Sequence, residues 1–296
     1  MRRLQQFDQP DFIPIFEDYG HFIGKCIGLT GHHGILGNIL HSRLSKHAIQ
    51  VETYLGDITD MPSLESWFRE YRFDLFFHFA AIVPVHKVMH NPMAAYETNA
   101  IGAYNICKQV ILNQPNLWLF LASSSHVYKP CGIQDKIPIN EGFALEPSTF
   151  YGISKLVGEQ ISRPLLDAYD VSYCIGRIFS FSNVRQQESY LVPALERKIQ
   201  QMSDNGVLEV INGKSVRDIM DGETVIDCLL YLAKSRFKGT LNIGTGIGMD
   251  VESIARHIAV KLKKRILIKC IDSNHPDSLV ADVHVLKNII SEQISV

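Results

Sequence analysis

A glycine-rich turn near the amino end of the chain constrains its fold more than any other feature. Residues 30–37 read Thr-Gly-His-His-Gly-Ile-Leu-Gly and directly follow the short apolar run Lys25–Leu29. That run is typical of a buried parallel strand, and the apolar spacing of Ile35–Leu44 predicts a helix after the turn. The glycines of the turn are Gly31, Gly34 and Gly37. They let the backbone approach a pyrophosphate where unpaired N–H groups and the helix dipole favour negative charge.

The rest of the amino-terminal half alternates between strand and helix patterns. The predicted strands cover 49–55, 74–80, 117–122 and 172–178, and the predicted helices cover 62–71, 96–113 and 150–170. Such alternation predicts right-handed crossovers and an α/β fold, a doubly wound parallel (Rossmann) sheet with a smaller carboxyl-terminal lobe. We expect an extension over 1–21, either packed on the domain or disordered. We expect the dinucleotide-binding domain over 22–178, and mainly the substrate lobe, with segments returning to the first domain, over 179–296.

Composition excludes several classes of protein. The 296 residues are 46% hydrophobic and 20% charged, with a formal net charge of −2, which leaves no basic field for nucleic acid or a membrane surface. No apolar run approaches the ~20 residues of a membrane span, and the first 21 residues lack the apolar stretch of a signal peptide. The six cysteines are scattered without a CxxC pair, which argues against a metal site and favours reduced thiols in the cytoplasm.

A carboxylate beyond the turn addresses the choice of coenzyme. Glu52 lies 21 residues after Gly31, near the end of the second predicted strand, where it would hold the ribose hydroxyls of NAD and repel the extra phosphate of NADP. We therefore predict NAD as the cofactor, with NADP as the alternative. Glu52 could instead be an exposed residue at a strand end. His33, inside the turn, could contact a 2′-phosphate or be an exposed loop histidine.

Further cofactor contacts are predicted in the turn and after the next two strands. They are Ile35, Leu36, Asp57, Ile58, Ala80 and Ala81. Asp57 and Ile58 follow the second strand at once and would flank the adenine. The two alanines end the third strand with small side chains that admit the cofactor.

Three side chains farther along the chain can move a proton. Tyr151 and Lys155 lie one turn apart on the same face of a predicted helix, and Ser124 leaves the fourth strand. A phenol with a pKa near 10 is a poor base at neutral pH, and a nearby ammonium favours its ionised form. Ser124 can hydrogen-bond the substrate oxygen beside Tyr151. A YxxxK pattern alone more often marks an amphipathic helix face, and here its position after a Ser-rich strand end favours catalysis.

At these residues the chain resembles the extended short-chain dehydrogenase/reductases, specifically their nucleotide-sugar epimerases, dehydratases and reductases. The resemblance spans about residues 25–287 and includes TGHHGILG, HFAA, ETNAIGAYN, LASSSHVY, YGISK, Arg177, VRDIM, LNIGTG and HPDSLVAD. It implies that Asn99, Tyr151 and Lys155 contact the cofactor. It also implies that Arg217 meets the substrate diphosphate, as suits guanidinium and phosphate. Without the family, Arg217 and Asp218 would be interpreted as a surface ion pair.

Departures from the family pattern narrow the expected activity. Dehydratases of this family carry Asp-Glu after the catalytic hydroxyl, whereas this chain has Ser125-His126, which disfavours loss of water. His126 occupies the position of an epimerising Cys in fucose-synthase-like enzymes and could act as acid or base at a ring carbon. It could equally be a histidine bonded to a loop carbonyl. Ser180 replaces a common substrate-binding Asn, and His275 lies near a frequent diphosphate Arg.

The resemblance therefore implies hydride transfer at C4 of a nucleotide-activated hexose, with Ser125, His126, Ser180, Arg217 and His275 on the substrate side. The enzyme would be an epimerase that returns the hydride or a reductase that consumes the coenzyme, of the kind that serves polysaccharide biosynthesis. A non-catalytic dinucleotide sensor of the same fold is the alternative. Relatives pack two helices per subunit into a four-helix bundle, so we expect a homodimer through the helices of 96–113 and 150–170.

Overall fold

The computed structural model describes residues 12–83, 85–134, 137–271 and 276–294. Its strands are β1 (Cys26–Thr30), β2 (Gln50–Tyr54), β3 (Leu75–His78), β4 (Trp118–Ser124), β5 (Cys131–Gly132), β6 (Ser172–Ile178), β7 (Ser180–Ser182), β8 (Val207–Ile211), β9 (Val216–Asp221), β10 (Gly239–Ile243), β11 (Gly248–Asp250), β12 (Leu267–Ile271) and β13 (Asp277–Leu279). Its α-helices are α1 (Ile35–Lys46), α2 (Met61–Glu70), α3 (Val85–His90), α4 (Pro92–Tyr96), α5 (Gly102–Asn113), α6 (Phe150–Ala168), α7 (Leu191–Gln201), α8 (Gly222–Ser235), α9 (Val251–Lys261) and α10 (His284–Ile294).

Six parallel strands form the central sheet, in the order β2–β1–β3–β4–β6–β10. The predicted doubly wound parallel sheet is thereby confirmed. Thr30 pairs with both Tyr54 and His78, so the carboxyl ends of β1, β2 and β3 meet at one edge. Ligands of such sheets bind beyond the carboxyl ends of the strands. β10 comes from the carboxyl-terminal half of the chain, which therefore returns to complete this sheet.

Helices cover both faces of the sheet, which explains why β3 and β4 are almost wholly buried apolar runs. Side chains of α1, α8 and α10 pack on one face, and side chains of α2, α5 and α6 pack on the other. No helix in the described ranges is both long enough and apolar enough to cross a membrane.

The segment from residue 12 to residue 22 packs on the face that α1 and α8 cover. Phe16 and Phe22 are buried there with Ile13, in one cluster with side chains of both helices. The Phe16 backbone N–H donates to the buried Asp227 carboxylate at 3.0 Å, and Arg43 of α1 donates to the same carboxylate at 2.6 Å. We call this segment the amino-terminal strap. Residues 1–11 lie outside the described ranges.

The second lobe is built around β9. This strand lies between β11 and β13 and also pairs with β7, and β13 continues the sheet to β5. Asp218 of β9 is fully buried and accepts hydrogen bonds from the backbone N–H groups of Thr245, Gly246 and Ala281. These bonds hold the loop after β10 against β9 and so join the two lobes. Helices α7 and α9 pack on the two-stranded sheet of β8 and β12 in a separate apolar cluster.

One predicted helix is interrupted. The apolar spacing predicts a single helix over 96–113, but residues Glu97–Ile101 form a π-helical turn between α4 and α5. The buried Asn99 amide lies in this turn, where its Oδ1 accepts from the Ile82 N–H at 2.7 Å and its Nδ2 donates to the Ser154 hydroxyl at 3.0 Å. Such turns often occur at functional sites, and here the turn ties the segment after β3 to α6.

Candidate active site

The glycine-rich turn between β1 and α1 has the shape of a pyrophosphate cradle. Gly31 has a φ of 74°, and a Cβ there would lie 2.6 Å from the Ala80 nitrogen. A Cβ on Gly37 would collide with the Gly31 carbonyl oxygen. Gly34 caps α1 and donates its N–H to Gly31 O at 2.9 Å. The turn therefore presents bare backbone at a helix amino end, which fits a dinucleotide.

Glu52 does not lie at this turn. It is the middle residue of β2, opposite Gly28, and its carboxylate accepts from Gln50 at 3.0 Å. Its charge acts on Cys26, at the amino end of β1. The strand runs on to Tyr54, so the residue at the sheet edge is Leu55, whose side chain is 76% exposed. The structure thus corrects the expectation that Glu52 stands near the end of its strand, and its contact with the ribose stays a prediction.

The other predicted cofactor residues lie in the turn, after β2, after β3 and in the π-helical turn. Ala80 donates its N–H to Thr30 Oγ1 at 3.3 Å, and Ala81 follows it at the sheet edge. The Asp57 carboxylate accepts from Thr59, while Ile58 is buried under Gly102. Half-buried Ile35 and buried Leu36 open α1, and His33 is exposed beside His32, with 3.7 Å between ring centroids. The Asn99 amide bonds the Ile82 backbone and the Ser154 hydroxyl, and its contact with the cofactor stays a prediction.

Ser124, Tyr151 and Lys155 come together at the carboxyl end of β4. Ser124 is the last residue of that strand, and α6 begins one residue before Tyr151, capped by the Thr149 hydroxyl. Burial raises the pKa of Tyr151 to about 12, against a hydrogen bond from Ser124 that favours the phenolate. Burial lowers the pKa of Lys155 to about 8. The Tyr151 phenol can therefore exchange a proton with a bound substrate, with the Ser124 hydroxyl and the Lys155 amine nearby.

Tyr190 also faces this group, and sequence reasoning missed it. It precedes α7, in the second lobe, and its proximity raises the pKa of Tyr151 further. Tyr190 belongs to no motif of the first domain. Its place near Tyr151 follows only from the way the second lobe folds against the first.

Ser125 and His126 lie in a short 3₁₀ turn directly after Ser124. Ser125 is buried, and its carbonyl accepts the Tyr128 N–H. The His126 ring lies 5.6 Å from the Tyr151 ring, nearly perpendicular to it. Burial and Arg217 lower the pKa of His126, and Asp277 acts in the opposite direction. His126 therefore stands between the proton-transfer group and the second lobe.

Arg217 pairs with Asp277 rather than with Asp218. Its NH2 group donates to both Asp277 carboxylate oxygens, at 2.9 and 3.1 Å. The alternative of an Arg217–Asp218 surface pair is wrong, because Asp218 is buried and bonded to the loop after β10.

Ser180 is half-buried where β7 pairs with β9, and His275 lies outside the described residues. Nowhere in the described part of the chain do three His, Cys, Asp or Glu side chains group to hold a metal ion.

Comparisons with known proteins agree with this geometry. Residues 31–288 match the family described as GDP-mannose 4,6 dehydratase. The UDP-glucose 4-epimerase of Mycoplasma genitalium is 25% identical, over 93% of this chain and 89% of that protein.

Solved structures share the fold. UDP-glucose 4-epimerase from Thermus thermophilus, in complex with NAD, has a TM-score of 0.77 at 18% identity, over 89% of this chain and 92% of that one. RMD from Pseudomonas aeruginosa, complexed with NADPH, has a TM-score of 0.79 at 19% identity, over 90% and 92%. Since the family match covers most of the chain, this protein belongs to the GDP-mannose 4,6-dehydratase family of extended short-chain dehydrogenase/reductases.

Proposed function

We propose that this protein is an NAD(P)-dependent 4-epimerase of nucleotide-activated hexoses, with UDP-hexoses as the first substrates to test. The observation that carries the proposal is the grouping of Ser124 and Tyr151 with buried Lys155 at the carboxyl end of β4, the sheet edge that holds the glycine-rich turn. The relatives named UDP-glucose 4-epimerase support the choice of sugar nucleotide. A dinucleotide sensor would need only the glycine-rich end, so the catalytic group argues against that alternative.

The residues of the chain divide the proton chemistry among them. The bound coenzyme supplies the hydride chemistry at C4. Tyr151, in its phenolate form, takes the proton from the C4 hydroxyl and returns it, while Ser124 hydrogen-bonds the same oxygen. Because burial makes the Tyr151 phenolate costly, the Ser124 hydroxyl and the Lys155 ammonium are needed to stabilise it.

The second lobe would hold the diphosphate. Arg217 is the guanidinium beside His126, and its NH2 nitrogen donates to both carboxylate oxygens of Asp277. The oxygens of a diphosphate can accept hydrogen bonds from the same guanidinium. We propose that Arg217 turns from Asp277 to the substrate.

The second candidate is a 4-keto reductase, and one observation favours it. The connection from β2 to α2 is only Leu55–Asp60, and the residue at the strand end is the apolar Leu55. Without a carboxylate there, the site tolerates a 2′-phosphate, which suits an enzyme that exchanges free NADPH. Either product would be an activated sugar for polysaccharide biosynthesis.

Incubation with UDP-glucose, without added coenzyme, tests the proposal. Proton NMR should show conversion to UDP-galactose, and native mass spectrometry should show retained coenzyme. Tyr151→Phe should lower kcat by about 10²- to 10⁴-fold while coenzyme stays bound. Conversion at the wild-type rate in that variant would reject the catalytic assignment. An empty site, no conversion, and reduction of a 4-keto sugar with added NADPH would favour the reductase.

We also propose a homodimer that forms through α5 and α6. Leu112 of α5 is 66% exposed, and Ile153 of α6 is exposed as well, although both helices already pack on the sheet. All six cysteines are thiols rather than disulfides in the described ranges, and four of them are buried, which supports the reducing cytoplasm as the working compartment.

A further inference from the structure

A buried carboxylate lies one helical turn beyond Lys155, where the proposed reaction gives it no role. Glu159 is four residues after Lys155, on the buried face of α6. Both side chains line one cavity of about 20 Å³, together with His78, Asn99 and Ser123. Glu159 and Lys155 are thus opposite charges sharing one buried space.

Glu159 is fixed from two further elements. Arg177 of β6 donates from Nε to both carboxylate oxygens at 3.1 Å and from NH2 to Oε2 at 2.6 Å. Ser123 of β4 donates its hydroxyl to Oε1. Arg177 is itself held by the Tyr128 hydroxyl at 3.0 Å and the Glu141 carbonyl at 3.0 Å. A carboxylate held by this many donors has little freedom to move away from Lys155.

The charges around Lys155 leave Glu159 as its counter-charge. The titratable side chains that line the cavity with Lys155 are His78 from β3 and Glu159 from α6, and Tyr151 lies one turn before Lys155 on α6. Burial and Lys155 lower the pKa of His78 to about 3, so this histidine is neutral and bonds Thr30 at 2.8 Å. Tyr151 is neutral too, because burial raises its pKa to about 12.

We propose that Glu159 is a positioning residue for Lys155. The Glu159 carboxylate, which Ser123 and Arg177 hold in place, keeps the Lys155 amine protonated beneath the active site. An amine buried without a partner gives up its proton, because the charged form loses its hydration. Burial lowers the pKa of Lys155 and the Glu159 charge raises it again. Arg177 supplies the positive charge that lets a carboxylate stay ionised in this interior. The inference rests on the proposed function for its catalytic consequence, but not for the protonation itself.

Titration of Lys155 by NMR tests this directly. In the full chain labelled with ¹³C-lysine, the Lys155 Cε signal, assigned from its loss in Lys155→Met, should titrate near pH 8. In Glu159→Gln the midpoint should fall by about one pH unit or more, since a lost opposite charge favours the neutral amine. Ser123→Ala is the matched control, because it removes a hydrogen bond to Glu159 and keeps the charge, so the midpoint should stay. Glu159→Asp keeps the carboxylate charge, so the Lys155 midpoint should stay there as well.

A folded Glu159→Gln protein with an unchanged midpoint would overturn the inference. If Glu159→Gln leaves Arg177 unpaired and does not fold, the pair Glu159→Gln with Arg177→Met removes both buried charges and should show the same fall. The pH at which kcat declines on the alkaline side should fall together with the Lys155 midpoint. The NMR titration needs no substrate, so a protein inactive on UDP-hexoses still decides the question.

Discussion

The Tyr151 phenol has neighbours of different charge. Lys155, a buried cation near Glu159, lies one turn along α6, and the His126 ring lies 5.6 Å from the Tyr151 ring with Arg217 and Asp277 near it. Burial and the Arg217 charge lower the pKa of His126, so its imidazole is neutral at pH 7 and stays neutral to a pH below its ordinary value. A neutral imidazole can accept a proton from a ring carbon beside a ketone.

His126 should therefore exchange protons at carbons next to C4. With a 4-keto nucleotide sugar in heavy water, wild type should introduce deuterium at C3 or C5, and His126→Asn should abolish the exchange while hydride transfer at C4 continues. Because only the neutral ring is the base, exchange should be constant at neutral pH and fall only below the ordinary histidine pKa of ~6.5. Ser125→Ala serves as the neighbouring control. A wild-type enzyme without exchange would leave Ser124, Tyr151 and Lys155 with all the chemistry.

At the scale of elements, sequence patterns located most strands and helices but not their exact relation to the site. The predicted strand over 172–178 coincides with β6, and Tyr151 and Lys155 lie on α6 as predicted. The position of Glu52 opposite Gly28, in the middle of β2, depends on the register with a neighbouring strand, which local spacing does not reveal. The turn at Glu97–Ile101 is not visible in the apolar spacing, because the hydrogen bonds of Asn99 with Ile82 and Ser154 join it to segments distant in sequence.

The end of β2 should set the choice of coenzyme. Leu55 stands at the sheet edge and carries no charge, so wild type should bind NADP(H) as well as NAD(H). Leu55→Asp should weaken NADP(H) relative to NAD(H) by about tenfold or more through repulsion of the 2′-phosphate. Fluorescence titration of both reduced coenzymes measures the ratio. Glu52→Gln is the matched control and should leave it unchanged, whereas a loss of NAD(H) preference in that variant would restore Glu52 to the ribose.

At the scale of the whole molecule, the proposed dimer depends on apolar surface that one subunit leaves exposed. Leu112→Glu places a charge on the exposed face of α5 and should convert a micromolar dimer to monomer. Val260→Glu on α9, where the side chain is 78% exposed and outside the proposed interface, should not change the mass. Sedimentation equilibrium distinguishes the two. A wild-type protein that is monomeric at micromolar concentration would contradict the proposal.

The amino-terminal strap belongs to the core of the molecule, although no sequence pattern assigned it a place. Phe16 is 1% exposed and packs edge-on against Tyr231 of α8, with ring centroids 4.9 Å apart, while its backbone bonds the carboxylate that Arg43 also holds. Phe16→Ala should therefore lower the free energy of unfolding by about 3–5 kcal/mol, as large-to-small changes at buried aromatics do. Ile15 is adjacent and 54% exposed, so Ile15→Ala should cost only about 0.5 kcal/mol. Urea denaturation followed by circular dichroism measures both, and equal losses would mean that the strap is not packed on α8 in solution.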